Sequence, residues 1–166
     1  NWRSKLKVYL PLKPIKFGFK VYMLAESKSG YILNWVIHEG KKDTLIDIVN
    51  KLVHKYQGKG FIVSMDRFYT TIDVITELTK QDFGVYGAIM KSRLFGTKTM
   101  LKLLEELGHE ESTFFISKDS QIMLSCWKDS KAVTIASNIG DNNVVPIWRR
   151  LKKREKVWIS HPSKNK

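Results

Sequence analysis

The stretch that most constrains this chain is residues 58–71, Gly-Lys-Gly-Phe-Ile-Val-Ser-Met-Asp-Arg-Phe-Tyr-Thr-Thr. Residues 61–65 are a short apolar run with neither a helical nor an alternating period. The flanking Gly58 and Gly60 and the β-branched pair Ile62 and Val63 favour a strand. A strand apolar on both sides belongs in the middle of a sheet covered on both faces. Asp66 then stands where the strand ends and the chain turns towards a helix. Ligands of open α/β sheets gather at the carboxyl ends of strands. An acid there suits a hard cation such as Mg²⁺, which binds through one or two carboxylates plus substrate phosphates. An Asp between strand and helix also serves as a plain turn or capping residue, its side chain accepting backbone N–H groups. Position alone leaves both roles open.

The flanks supply the rest of an α/β pattern. Leu45, Ile48, Val49, Leu52, Val53 and Tyr56 repeat at i, i+3, i+4, which predicts a helix with one buried face. Asp43 and Thr44 offer N-cap oxygens, and Gly58 suits its C-terminal end. After Asp66, Thr70 or Thr71 caps a second helix with Ile72, Ile75 and Leu78 on its apolar side. Residues 84–90 read as a further strand, parallel to the first through a right-handed crossover. Upstream, residues 16–27 read as a strand, with Phe17, Phe19, Val21, Met23 and Ala25 on one face. Residues 31–38 are its antiparallel partner across the turn at Gly30. Pro11 and Pro14 exclude a helix or central strand in the basic segment before it. Downstream come a third amphipathic helix, residues 97–107, and short β-like pieces at 113–116, 121–127 and 132–137. Met65, Met90 and Met100 read as core filler.

Charge narrows the partner. Twenty-nine Lys and Arg against sixteen Asp and Glu leave +13, the footprint of a nucleic-acid binder, with an anionic membrane surface the weaker alternative. No apolar run is long enough to span a bilayer, so no membrane partner is expected. Cys126 is the only cysteine, which excludes an internal disulfide and points to a reducing compartment. Four scattered histidines do not make a zinc site. From residue 149 on, Arg149, Arg150, Lys152, Lys153, Arg154, Lys156, Lys164 and Lys166 face one acid, Glu155. Trp148 and Trp158 are interleaved. Such a run is a solvated tail, a nuclear-localisation signal or a nucleic-acid contact. Lys91 and Arg93, in the connector after the second strand, are further candidates for DNA contact.

Several motifs occur together: Arg3-Ser4 with Lys5-Leu6-Lys7, Tyr9-Leu10-Pro11-Leu12-Lys13-Pro14-Ile15-Lys16, Gly18, Lys20 and Gly30-Tyr31. Further on stand Met65-Asp66-Arg67-Phe68-Tyr69-Thr70 and Trp127-Lys128-Asp129 with Lys131. Together they resemble the transposase domain of the piggyBac family, over nearly the whole chain and least over residues 94–113. The resemblance implies an α/β, RNase H-like mixed sheet with flanking helices. It also implies three catalytic Asp residues binding two Mg²⁺ ions for DNA cleavage and strand transfer, of which Asp66 matches the second. The family usually has Asn after this Asp, where this chain has Arg67. A cation beside a metal-binding carboxylate competes with the metal for it.

By the same resemblance the first Asp lies ahead of Asn1, and the third lies beyond Lys166 in a Gly-Gly-Val-Asp context. The chain is therefore expected to be an internal piece cut from something longer, with the central first strand of the sheet missing. The expected division is residues 1–93 as part of the RNase H-like core, 94–131 as an insertion subdomain, 132–148 returning to the core, and 149–166 as a basic tail. Two-metal chemistry needs carboxylates converging from separate elements. Asp43 at a helix cap, Asp73 inside a helix and Asp129 on the insertion side do not supply them. The leading expectation is a DNA transposase fragment, inactive alone. The runner-up is a domesticated, non-catalytic DNA-binding protein, and a purely structural, protein-binding domain accounts less well for the charge. DNA as partner, a homodimer in the full-length protein and a nuclear location complete the expectations.

Overall fold

Thr44 starts the first helix as the spacing predicts. In the computed structural model, which describes residues 6–39, 43–94, 98–119, 121–128, 130–140, 144–150 and 156–162, helix α1 spans Leu45–Val53. The Thr44 hydroxyl accepts the Asp47 N–H at 3.1 Å, and the Asp47 carboxylate accepts the Thr44 N–H at 3.0 Å. This reciprocal box satisfies two of the helix's orphan donors. The Thr44 hydroxyl and amide together hold the Asp47 carboxyl below its ordinary value. Asp43, the other candidate cap, instead meets Lys51 Nζ at 2.9 Å.

The chain forms two compact units, Asn1–Lys59 and Gly60–Lys166. In the first, β1 (Lys7–Tyr9) pairs antiparallel with β2 (Phe17–Phe19), and β3 (Val21–Ala25) pairs antiparallel with β4 (Ile32–Ile37). The single strand expected over 16–27 is thus two, because the segment holding Pro11 and Pro14 turns β1 back onto β2. Helix α1 packs on β3 and β4, burying Ile48, Val49, Leu52 and Val53 together with Tyr22. Asn34 Nδ2 donates to the carbonyls of Lys51 and Leu52 at 3.0 and 2.9 Å, covering acceptors that a helix end leaves unpaired. The row Phe17, Phe19, Val21, Met23 is the exposed one. Alternation identified it as one face; the single helix covers the opposite face, which carries Tyr22.

The second unit is built on a mixed five-stranded sheet. Its strands are β5 (Ile62–Met65), β6 (Gly84–Ala88), β7 (Ser112–Ile116), β8 (Met123–Lys128) and β9 (Ala132–Ser137), in the order β5-β6-β9-β8-β7. β5 and β6 are parallel; every other pairing is antiparallel. Helix α2 (Ile72–Lys80) links the parallel pair and is capped by the Thr71 side chain, which accepts the Val74 N–H at 3.1 Å. Val74, Ile75, Leu78, Phe83, Val85, Cys126 and Ala136 form the core. Asn138 fastens the end of β6: its side chain accepts the Val85 N–H at 2.6 Å and donates to Phe83 O at 2.8 Å and Thr79 Oγ1 at 2.7 Å. Helix α3 (Lys98–Glu106) lies between β6 and β7 in sequence.

β5 ends the sheet instead of lying in its middle, and among the described residues no strand pairs with its outer edge; the apolar run alone pointed to a central strand, whereas the expectation of a missing first strand left this edge open. Phe61 and Ile62 are accordingly 50% and 61% exposed. An apolar run signals burial of its side chains but not which backbone edge finds a partner. The sheet continues past residues 94 and 131: β7 pairs with β8, β8 with β9 and β9 with β6. Residues expected in a tail begin inside an antiparallel hairpin, β10 (Val144–Arg150) with β11 (Lys156–Pro162).

Candidate active site

Asp66 follows the last residue of β5, at the carboxyl end of the parallel pair. Its backbone and its side chain are treated differently. The Asp66 carbonyl accepts three hydrogen bonds, from Tyr69 N–H at 2.9 Å, Thr70 N–H at 3.1 Å and Thr70 Oγ1 at 2.9 Å. Thr70 is fully buried. It rests on β6 where Gly87 has no side chain: a Cβ there would stand 2.4 Å from Thr70 Oγ1 and 2.5 Å from Met65 O. Only glycine permits so close an approach of turn and strand.

Arg93 completes the turn from the far side. One guanidinium nitrogen donates to Phe68 O at 2.7 Å, Arg67 O at 3.1 Å and Thr70 O at 3.3 Å. The rings of Phe68 and Tyr69 meet edge to face, 5.1 Å apart. The backbone of residues 66–70 is therefore fixed from three directions, while the Asp66 side chain is exposed. Among the described residues the Asp66 carboxylate makes neither a hydrogen bond nor an ion pair, and Arg67 does not close on it. Among the described residues, the turn thus presents an unengaged carboxylate on a fixed backbone.

The chain belongs to the piggyBac-type transposase family. The family model described as Transposase IS4 matches residues 1–164. PiggyBac transposable element-derived protein 2 of Homo sapiens is 25% identical over 140 residues, covering 76% of this chain and 23% of the relative. Among solved structures, the cryo-EM structure of a piggyBac transposase synaptic complex with hairpin DNA superposes with a TM-score of 0.70 at 18% identity. That match covers 83% of this chain and 30% of the other. The chain thus spans 23% and 30% of the length of these two relatives. The family-model match, residues 1–164, runs through both units and includes Asp66.

The donor set does not by itself make a two-ion centre. Among the described residues no three His, Cys, Asp or Glu side chains come together. Asp43 is bound to Lys51 in the first unit, and Asp73 lies in the first turn of α2; Asp129 lies outside the described residues. One carboxylate supplies at most a bidentate contact, too little to hold two Mg²⁺ ions.

The basic candidates fall into two groups. Lys91 Nζ meets Glu105 Oε1 at 2.5 Å, which lowers the Glu105 carboxyl below its ordinary value. Arg93 is turned onto the carbonyls beside Asp66. Both are engaged within the protein. Arg149 and Arg150 lie on β10, and Lys156 lies directly opposite Arg150 on β11, next to the Trp148–Trp158 pair. Lys152, Lys153 and Arg154 lie outside the described residues. The sequence reading missed Gly87 and the role of Arg93. A lone glycine inside a strand pattern is a signal for close backbone approach; nothing local signals an arginine that caps a turn more than twenty residues earlier.

Proposed function

We propose that this chain is a piece of a DNA transposase domain that supplies one catalytic carboxylate, Asp66, and a basic DNA-contact surface, and that it does not cleave DNA alone. The turn after β5 supports this reading: three bonds to the Asp66 carbonyl and three from Arg93 fix the backbone, while among the described residues the carboxylate is left unengaged. A cap or turn aspartate would spend its side chain on neighbouring N–H groups. In this reading the sheet is an RNase H-like one, and the open edge of β5 is where a further strand pairs. Asp66 supplies one ligand of a Mg²⁺ centre whose other carboxylates come from other parts of the longer protein. The hydrogen-bonded turn sets the direction of that ligand. The nucleus is the proposed location and a homodimer the proposed assembly.

DNA contact is assigned to the hairpin of β10 and β11 and its connection. The strands bring Arg149, Arg150 and Lys156 to one end, where Lys152, Lys153 and Arg154 join them in sequence. Five phosphate contacts would give log K against log salt a slope of roughly −4 to −5 on duplex DNA. Replacing Arg149, Arg150, Lys152, Lys153 and Arg154 by Gln should flatten it to about zero to −1. An unchanged slope would remove this surface from the account. The runner-up, a domesticated DNA-binding protein, shares this surface and differs in lacking the other carboxylates.

A further inference from the structure

The first unit carries a second surface that this DNA-contact assignment does not use. In the β1–β2 ribbon, Lys7 stands opposite Phe19 and Tyr9 opposite Phe17, so all four side chains share one face. That face is open: Tyr9, Phe17 and Phe19 are 52%, 56% and 55% exposed. Its reverse carries Val8 opposite Gly18, both half-buried. The rings of Tyr9 and Phe17 lie 4.9 Å apart at 44°, and Lys7 Nζ sits 5.4 Å from the Phe17 ring centre. Exposed Lys13 and Lys16 lie in the connection between the two strands, and no acid occurs between Leu6 and Ala25.

We infer that this ribbon face is a stacking platform for unpaired bases of single-stranded DNA. The choice of DNA over other polyanions rests on the transposase reading; the platform rests on the rings and lysines. Three half-exposed rings on one ribbon face supply flat apolar surface, and stacking on such rings is tolerant of base identity because every base has a π-face. The lysines give the electrostatic attraction that tracks the phosphates. An apolar protein partner would be served by the rings, but not by an acid-free, lysine-bearing ribbon. Duplex DNA, whose bases are stacked on one another, offers these rings nothing.

The test uses the 166-residue chain and a fluorescent oligothymidine of about 15 nucleotides, long enough for one binding surface, beside a duplex of equal length. Tyr9→Ala, Phe17→Ala and Phe19→Ala should each weaken single-strand binding about tenfold and change duplex binding less than about twofold. Because the rings are exposed, melting temperatures should stay with the wild type. Phe17→Leu and Phe19→Leu keep an apolar face without a stacking ring and should lose nearly as much. Strands carrying 5-iodouracil should crosslink to Tyr9, Phe17 or Phe19 on irradiation. Full single-strand affinity in the Leu variants, or crosslinks confined to the β10–β11 hairpin, would overturn the proposal and make the face an apolar protein-docking surface. Loss of salt-dependent duplex binding in the wild type would instead count against the transposase reading, while the ring variants judge the platform separately.

Discussion

Gly87→Ala should disturb the Asp66 turn more than any other one-carbon change in the second unit. The new methyl would stand 2.4 Å from Thr70 Oγ1 and 2.5 Å from the Met65 carbonyl, against an ordinary contact of 3.4–4 Å. Neither neighbour can yield cheaply. Met65 O belongs to β5, paired in register with Gly87, and Thr70 is fully buried with its hydroxyl committed to Asp66 O. Relief therefore needs about 1 Å of backbone movement, and overpacking of this kind costs about 1–3 kcal/mol. For a chain of this size that lowers the melting temperature by roughly 3–10 °C. Gly18→Ala is the control, since a Cβ there meets nothing within 4 Å and should change stability by less than about 0.5 kcal/mol. Adding Thr70→Ala to Gly87→Ala should cost less than the sum of the two, because one of the clashes disappears. Thermal and urea melts of the wild type, the three single variants and the double variant measure these differences. If Gly87→Ala melts with the wild type, the close approach of turn and strand is wrong, and with it the rigid base assigned to Asp66.

Two further outcomes follow from the local geometry. Arg93→Met removes three charge-assisted hydrogen bonds to the turn; amide exchange at Tyr69 and Thr70 should speed up about tenfold or more, as expected for losing about 1.5–3 kcal/mol of local stability, while Arg93→Lys retains part of the protection. Unchanged exchange in Arg93→Met would reduce this residue to a surface cation. At the start of α1, the Asp47 carboxyl is held below its ordinary value of 3.8 by Thr44, so its contribution is full above that value and fades as pH falls through the depressed one. The melting-temperature gap between wild type and Thr44→Ala should narrow between about pH 5 and pH 2; a gap that widens on acidification would reverse the sign of this interaction.

What was readable in the sequence was what local periodicity determines. Helix α1, the β5–α2–β6 unit and the three later strands are written in apolar spacing and caps, and they stand within a few residues of their expected bounds. Asp66 was legible because a strand end followed by a capped helix is a local pattern. The edge position of β5 was not legible in the strand itself, because hydrogen-bond partners along an edge leave no trace in its own side chains; it followed only from the expectation of a missing first strand. Which face of β3 is covered was not legible for a related reason. Met23 and Trp35 alternate as core residues do, and only the position of α1 shows which face it covers. Arg93 carried its charge in the sequence but not its target, since three carbonyls more than twenty residues away are a product of the folded turn.

The most direct measurement incubates the 166-residue chain with supercoiled plasmid in Mg²⁺ or Mn²⁺ and follows both binding and nicking. Binding should be salt-sensitive and the plasmid should stay supercoiled, because Asp66 alone cannot hold two ions. Nicking that vanishes in Asp66→Ala would contradict it, and would mean that this chain already contains the carboxylates assigned to the rest of the protein.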